Sequence, residues 1–186
     1  MPSVPKSADL LSRLQDFARA KSGMAAVEFA VLLPFMLTAY LGGVEIGDGV
    51  AIDRKVAITA HSVADLASRY TKITDVDMNN ILGASSTIIQ PYAPAPITVT
   101  VSGVIIDNKG NATIDWSNSL NGTAHSKGDA VTLPGTLATV GSYYVWGEVK
   151  YDYQPTLGYV LTGKWTLSNQ IFMSPRESAQ ILRSAT

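Results

Sequence analysis

The stretch MAAVEFAVLLPFMLTAYLGGV, residues Met24–Val44, contains one charged side chain, that of Glu28. As an α-helix it extends about 31 Å, which matches the roughly 30 Å hydrocarbon core of a bilayer. Pro34 lies inside it and lacks a backbone donor, so we expect a kink or a local loosening of the helix there. The stretch predicts a transmembrane helix, around which the rest of the chain is arranged.

Charged residues of the preceding segment, residues 1–23, predict the orientation of this helix. They are Lys6, Arg13, Arg19 and Lys21 on the basic side and Asp9 and Asp16 on the acidic side. Because basic residues beside a span stay in the cytoplasm, we expect the N-terminus inside the cell and the C-terminal part outside it. Leu10, Leu14 and Phe17 have the spacing of a short amphipathic helix on the membrane surface, and a solvated leader is the alternative.

The composition fits a small domain attached to a membrane anchor. Of the 186 residues, 16% are charged, which is low for a wholly soluble protein. The formal net charge of -1 gives no overall field that would attract nucleic acid. The absence of cysteine excludes disulfides, cysteine-ligated zinc and thiol catalysis. We expect three parts: a cytoplasmic leader over residues 1–23, a transmembrane helix over 24–44 and an exported domain over 45–186.

A cleavable signal peptide is the competing interpretation of the apolar stretch. Its hydrophobic region would be shorter, about 7–15 residues, and a small-x-small cleavage site would follow closely. The nearest candidate, Gly47-Asp48-Gly49, lies late, and a carboxylate such as that of Glu28 is unusual inside a signal peptide. The pattern therefore favours a retained membrane helix.

Glu28 has the clearest functional implication. A carboxylate at the centre of a bilayer costs about 2.5–3.5 kcal/mol on insertion scales, so it needs a compensating interaction. If the chain is cleaved after Gly23, the new α-amino group of Met24 is largely protonated and shares a helix face with Glu28, four residues on. The amine of one subunit then pairs with Glu28 of the next. The alternatives are an intrachain pair, or a protonated Glu28 that reaches the cytoplasmic interface.

Beyond the membrane the helix is predicted to continue. Residues at spacings of three and four form one face against a partner or a sheet: Ile52, Val56, Thr59, Val63, Leu66 and Tyr70. Glycines at positions 42, 43, 47 and 49 make either a flexible joint or a close-packing surface. Thr74-Asp75-Val76-Asp77 has the spacing of a capping box and predicts a second helix, which ends at Gly83.

Strand patterns follow a proline-rich linker that contains Pro91, Pro94 and Pro96. Segments rich in β-branched or alternating residues predict strands over Ile97–Ile106, Ala112–Ser117, Ser142–Tyr153 and Leu161–Met173. A turn at Asp107–Asn111 joins the first two strands, with Gly110 suited to a positive φ.

Apolar side chains of the last two strands are candidates for the core. Alternate residues from Tyr143 to Tyr153 share one face, and Trp165, Leu167 and Phe172 are available from the final strand. We therefore predict an α+β fold in which one long N-terminal helix, transmembrane and then amphipathic, packs on an antiparallel sheet of about four strands.

The segment Gly23–Pro34, GMAAVEFAVLLP, closely resembles the start of TadE/TadG-like proteins. These are the minor pseudopilins and related proteins of the tight adherence (Flp-type) pilus system. The later layout is also similar, with Trp116 after the first hairpin, a tyrosine-rich strand that leads to Gln154-Pro155, and a Pro175-Arg176 pair. The resemblance implies a pilin-like fold and a structural role in assembling an adhesion pilus.

The same resemblance assigns roles to individual residues. Gly23 is the residue before the cut of a prepilin peptidase, Met24 the new N-terminus and Glu28 the acid of the motif, and Phe29 takes the aromatic position that follows. The implied partners are that peptidase, other pilin and pseudopilin subunits, the inner-membrane assembly platform and the membrane itself. The implied location is the bacterial inner membrane, with a cytoplasmic N-terminus and a periplasmic or extracellular C-terminal domain. The alternative is an uncleaved, membrane-anchored binding or adhesin module.

No set of residues forms a catalytic pattern, so we expect neither an enzyme nor a need for a metal or cofactor. His61 and His125 are separate in the sequence and are expected at the surface. Polar residues within Asp107–Asp115 allow a calcium loop, but a terminal glutamate is missing and a plain turn is favoured. Aromatic residues of Tyr143–Tyr153 allow a glycan-binding face, and a strand with core and edge aromatics is favoured.

Overall fold

The computed structural model describes residues 21–93, 95, 97–135, 137, 139–155 and 163–184. Its elements in chain order are α1 (Lys21–Ser68), β1 (Lys72–Ile73), α2 (Asp75–Ile88), β2 (Ile97–Ile106), β3 (Ala112–Leu120), β4 (Tyr143–Tyr153), β5 (Trp165–Met173) and β6 (Leu182–Arg183). α1 packs on a four-stranded antiparallel sheet of order β3-β2-β4-β5, so the predicted α+β fold is confirmed. The leader helix, Pro94, Pro96 and the strand start at Leu161 lie outside the described residues.

β4 lies inside the sheet and defines its two faces. It pairs antiparallel with β2 on one side and with β5 on the other. Because side chains alternate along a strand, every second residue of β4 points toward α1. All six of these residues are buried, as predicted: Tyr143, Val145, Gly147, Val149, Tyr151 and Tyr153.

The C-terminal part of α1 covers this face of the sheet with the predicted helix face, termed here the seam. Its fully buried residues include Ile52, Val56, Thr59 and Val63, while Leu66 and Tyr70 pack at the margin. Alanines at positions 60, 64 and 67 are buried beside them. A Cβ added at Gly147 would lie 2.9 Å from the carbonyl oxygen of Ala60, which shows how closely helix and sheet approach. Small residues on both surfaces permit this contact.

The predicted capping box begins α2. The Thr74 hydroxyl accepts from the Asp77 backbone N–H at 3.2 Å, and the Asp77 carboxylate accepts from the Thr74 backbone N–H at 3.0 Å. The predicted end at Gly83 is wrong, since α2 continues to Ile88. Gly83 is exposed, and a Cβ added there would meet nothing within 4 Å, whereas Leu82 and Ser85 on either side of it are buried and hold the helix against the core. Packing outweighs the roughly 1 kcal/mol helical cost of one glycine.

Three strands differ from their predicted bounds. β4 begins at Tyr143 rather than Ser142, and β5 begins at Trp165, since the described residues 163 and 164 before it are not in the strand. β3 runs to Leu120 rather than Ser117, because the Thr100 and Ser119 hydroxyls bond at 2.9 Å across the continued ladder. In β5, Leu167 packs against the main core, but Trp165 is 49% exposed at the open end of the strand. Its placement in the core is therefore wrong. Phe172 packs on the opposite face of the sheet.

The C-terminal segment connects the sheet to the end of α1. β6 pairs in parallel with β1, and Ile181 before it is fully buried. The Trp116 indole and the Tyr143 hydroxyl both donate to the Ile181 carbonyl, at 3.0 and 3.2 Å. Arg176 donates from its backbone N–H to the Ser68 carbonyl at 2.9 Å. These bonds fix the top of the domain, at the far end of α1 from Met24.

Candidate functional site

The first half of α1 projects from the domain without cover. All residues from 24 to 40, termed here the exposed half of α1, are exposed, and their large apolar side chains range from 37% exposure at Leu33 to 71% at Phe35. Leaving one such side chain in water rather than burying it costs about 1.5–3 kcal/mol. This helix near the N-terminus is long and apolar enough to span a membrane. A bilayer would solvate the whole exposed half at once.

The residues with predicted processing and pairing roles lie on this exposed half or beside it. Gly23 and Met24 fall within the helix, close to its first described residue. Met24 and Phe29 are exposed, and Glu28 between them is exposed as well. Among the described residues no ion pair or hydrogen bond engages the Glu28 carboxylate. The carboxylate is thus presented within an apolar surface, on the same helix face as Met24.

Pro34 lies in the middle of the exposed half. The helix continues on both sides of it as one element. The Thr38 hydroxyl donates to the Pro34 carbonyl at 2.8 Å, one turn further along. A threonine that bonds back to the preceding turn often bends a helix, so Thr38 adds to the effect expected of Pro34. The kink itself stays a prediction.

The domain begins to cover α1 at residues 41 and 42, and residues 41–68 are termed the packed half. Gly42 is buried, and Glu45 is only 2% exposed. The Tyr153 hydroxyl donates to the Glu45 carbonyl at 3.1 Å, and a Cβ at Gly49 would lie 3.6 Å from the Tyr153 ring. The four glycines lie in an unbroken helix. Gly42 is buried and Gly49 lies at ordinary contact distance from the Tyr153 ring, whereas a Cβ at Gly43 or Gly47 would meet open space.

The opposite face of the sheet carries an arrangement that the sequence did not indicate. The rings of His125 and Phe172 stack on Trp146 with centroid distances of 5.0 and 5.4 Å. His125 Nε2 also lies 2.6 Å from the Glu148 carboxylate. His125 is thus an integrated part of the sheet surface rather than the isolated surface residue expected. The alternation of Trp146 and Glu148 in β4 was the available signal, but nothing local placed the loop histidine above them.

The other two candidate sites are not assembled. The aromatic residues of β4 are divided between the faces, with Tyr143, Tyr151 and Tyr153 toward α1 and Tyr144 and Trp146 on the other side. They therefore form no single glycan-binding face. In the hairpin, the Asp107 carboxylate accepts from the backbone N–H groups of Lys109 and Asn111, both at 2.8 Å.

Hydrogen bonds from Asn111, through its backbone and its side chain, lower the pKa of Asp107. Gly110 has a φ of 83°, as the predicted turn requires. Asp115 instead pairs with Lys127 at 2.9 Å. The plain turn is the arrangement that forms. Over the described ranges, no three His, Cys, Asp or Glu residues are grouped as metal ligands.

Comparison of the chain with protein-family models, curated proteins and solved structures gives no match.

Proposed function

We propose that this chain is a minor pseudopilin-like subunit that assembles with other pilin subunits into a Flp-type adhesion pilus. A prepilin peptidase cleaves it after Gly23, and the exposed half of α1 anchors it in the bacterial inner membrane until assembly. Its sheet domain lies on the outer side. The role is structural, and the partners are the peptidase, neighbouring pilin subunits and the inner-membrane platform.

The observation that supports this proposal is the division of α1 into two halves. One helix of 48 residues is exposed and apolar at its N-terminal end and packed on an antiparallel sheet at the other. A helix that leaves the membrane and continues into its own domain holds that domain at a fixed position and angle. This suits a subunit that must move from a bilayer into a helical fibre, because the same apolar surface can exchange lipid for other helices.

In this proposal, Glu28 sets the stagger between neighbouring subunits along the fibre. Apolar helix surfaces alone slide past one another with little change in energy. A carboxylate in the apolar surface and a protonated amine at Met24 are satisfied together only when neighbouring subunits are correctly staggered. The exposure of Glu28, with no partner among the described residues, supports a contact between subunits.

The first test is the N-terminal sequence and intact mass of the protein from its native membrane, with and without co-expressed prepilin peptidase. We expect a start at Met24 only when the peptidase is present. Gly23→Leu should abolish this processing, because the peptidase must fit the residue before the cut. Gly43→Leu is the matched control, since Gly43 has open space around it in the same helix. A Met1 start under both conditions would overturn the proposal.

The second test is Glu28→Gln, which separates a pilin from a simple anchor. Cleavage should be unchanged, while recovery of the chain in sheared surface fibres should fall about tenfold or more, equivalent to about 1.4 kcal/mol. The physical reason is that the Met24 amine then lacks a charged partner. Asp53→Asn, another exposed carboxylate of α1 but beyond the predicted span, serves as control. Equal recovery of both variants would contradict the pairing role.

The alternative function is an uncleaved anchor that presents a binding or adhesin module. The observation in its favour is an open pocket of about 260 Å³ on the sheet face that carries Trp146. Thr98, Thr100, His125, Glu148 and Lys150 contribute hydroxyls and charges to its wall. Trp146 stacks with both His125 and Phe172, so ring surface that a sugar would use is already in contact with the protein. Normal adhesion by a chain that keeps Met1 would favour this alternative.

A further inference from the structure

An apolar groove opens between α1 and the edge strand β5, just beyond the predicted membrane span. Its walls are Ile46 and Val50 from the helix and Tyr153, Trp165 and Leu167 from the sheet; these five residues are termed the interfacial groove. Its volume is about 400 Å³, and its lining is almost entirely apolar. Ile46, Val50 and Trp165 are each about half exposed. A surface of this kind indicates a contact with something outside the described chain.

The height of the groove above the membrane follows from the rise of α1 per residue, counted from Val44 at the end of the predicted span. With about 1.5 Å per residue, Ile46 lies about 3 Å and Val50 about 9 Å beyond Val44, where the predicted span ends. The headgroup layer of one leaflet is about 5–7 Å thick, from the difference between the whole bilayer and its hydrocarbon core. The helical wall of the groove therefore crosses the headgroup layer.

Tyr153 places the strand wall at the same height. Its hydroxyl donates to the Glu45 carbonyl at 3.1 Å, and its ring lies next to Gly49. Trp165 is the direct partner of Tyr153 in the β4–β5 ladder. A tryptophan and a tyrosine are thus held side by side between the levels of Glu45 and Gly49. These are the two residue types that concentrate at membrane–water interfaces, because each combines an apolar ring with a polar group.

Charged residues mark the boundary of this apolar surface. Lys164, which precedes Trp165, is exposed and can reach lipid phosphates. Asp53, at the upper edge of the groove, lies about 13 Å beyond Val44, above the headgroup layer. Below the groove, no charged side chain lies between Glu28 and Glu45, and Glu45 is buried. Asp48, about 6 Å beyond Val44, is exposed at the level of the groove and lines the neighbouring pocket with Tyr153 and Lys164.

We propose that the interfacial groove is a lipid-binding surface that seats the sheet domain on the bilayer, with Trp165 inserted among phospholipid headgroups. The proposal rests on α1 spanning the membrane, but it does not require cleavage after Gly23. It explains why Trp165 is exposed although it faces the helix side of the sheet. It also implies that the domain must detach from lipid when the subunit enters a fibre.

The test is tryptophan quenching of the full chain in phosphatidylcholine vesicles that contain brominated lipid. Bromine is placed either near the headgroup end or near the terminal methyl of the acyl chain. We expect stronger quenching by the shallow bromine. Trp165→Phe should lose most of it, whereas Trp146→Phe should keep it, because Trp146 lies on the other face of the sheet. Val50→Asn should weaken the quenching of Trp165 without unfolding, because Val50 is half exposed.

Equal quenching of the Trp165→Phe variant and the wild-type chain would overturn the proposal. Quenching that disappears as the protein-to-lipid ratio rises would assign the groove to a second copy of the chain and would also overturn it. Resistance of the vesicle-bound chain to alkaline extraction reports the membrane span separately. If the chain resists extraction but Trp165 is not quenched, only the lipid-binding proposal is refuted. If Trp165 is quenched but the chain keeps Met1 in the presence of the peptidase, only the pseudopilin proposal is refuted.

Discussion

The two halves of α1 belong to one continuous helix, yet different surroundings stabilise them. The exposed half carries large apolar side chains, and every one of its residues from 24 to 40 is exposed. The packed half presents one narrow seam of small and β-branched residues to the sheet. Its outer side mixes polar residues with exposed apolar ones, among them Ile46, Val50 and Ile58. Helical structure alone therefore does not reveal what stabilises a segment. The same kind of substitution should therefore lower the free energy of unfolding when it is made in the packed half and leave it nearly unchanged when it is made in the exposed half.

The largest difference is expected for truncation of an apolar side chain. Ile52→Ala removes a side chain that is fully buried against the sheet, and it should lower the free energy of unfolding by about 2–5 kcal/mol. Leu37→Ala, in the exposed half, should change it by less than about 0.5 kcal/mol. Urea unfolding of the full chain in mild detergent, followed by near-ultraviolet circular dichroism, measures both. Equal losses would mean that the exposed half also packs on the domain.

A smaller difference is expected for added volume. Gly147→Ala places a Cβ 2.9 Å from the Ala60 carbonyl and 3.1 Å from the Ala64 methyl, so α1 must move away from β4. We expect a loss of about 1–3 kcal/mol, the usual range for overpacking a core. Gly43→Ala, where a Cβ meets nothing, should leave stability unchanged in the same urea experiment. Tolerance of Gly147→Ala would show that the helix is not held tightly on the sheet.

The fold was largely predictable because periodicity reports burial. The seam of α1, the capping box and β2 all follow patterns that local sequence contains. Gly83 was misjudged because Leu82 and Ile89 on either side of it pack in the tertiary core, and this packing overrides the weak local preference of a glycine. Trp165 was misjudged for a related reason. Its alternation is correct, but the end of β5 extends past the core.

The candidate site also contains residues that the local sequence identifies and residues that only the tertiary structure brings together. Gly23, Glu28 and Pro34 could be singled out because their significance depends on the neighbouring sequence and on a bilayer. The stack of His125 on Trp146 could not, because it joins a loop to a strand more than 20 residues away and depends on the sheet register. The interfacial groove was equally hidden. It requires knowing that Tyr153 and Trp165 are paired and that Tyr153 meets α1 at Glu45.

The smallest effect concerns α2, which packs on α1, β2 and β3. Lys55 donates to the Ile88 carbonyl at 3.2 Å at the end of α2, and the capping box holds its beginning. Thr74→Ala should cost about 1 kcal/mol, as for other N-cap threonines, because the Asp77 N–H loses its acceptor. Thr87→Ala, at an exposed position of the same helix, is the control for the urea experiment.

Acid should reproduce part of this loss through Asp77. Hydrogen bonds from the Thr74 side chain and backbone hold the pKa of Asp77 below its usual value of 3.8. A carboxyl whose pKa is lower in the folded than in the unfolded state stabilises the fold fully above pH 3.8, and this stabilisation disappears as the pH falls through the folded pKa. Amide hydrogen exchange in the first turn of α2 should therefore accelerate below about pH 4 relative to an unfolded reference peptide. Asp77→Asn should remove that pH dependence and leave the exposed half of α1 unaffected. If exchange in the Asp77→Asn variant still accelerates below about pH 4, the titrating group is not Asp77, and the capping box does not cause the pH dependence.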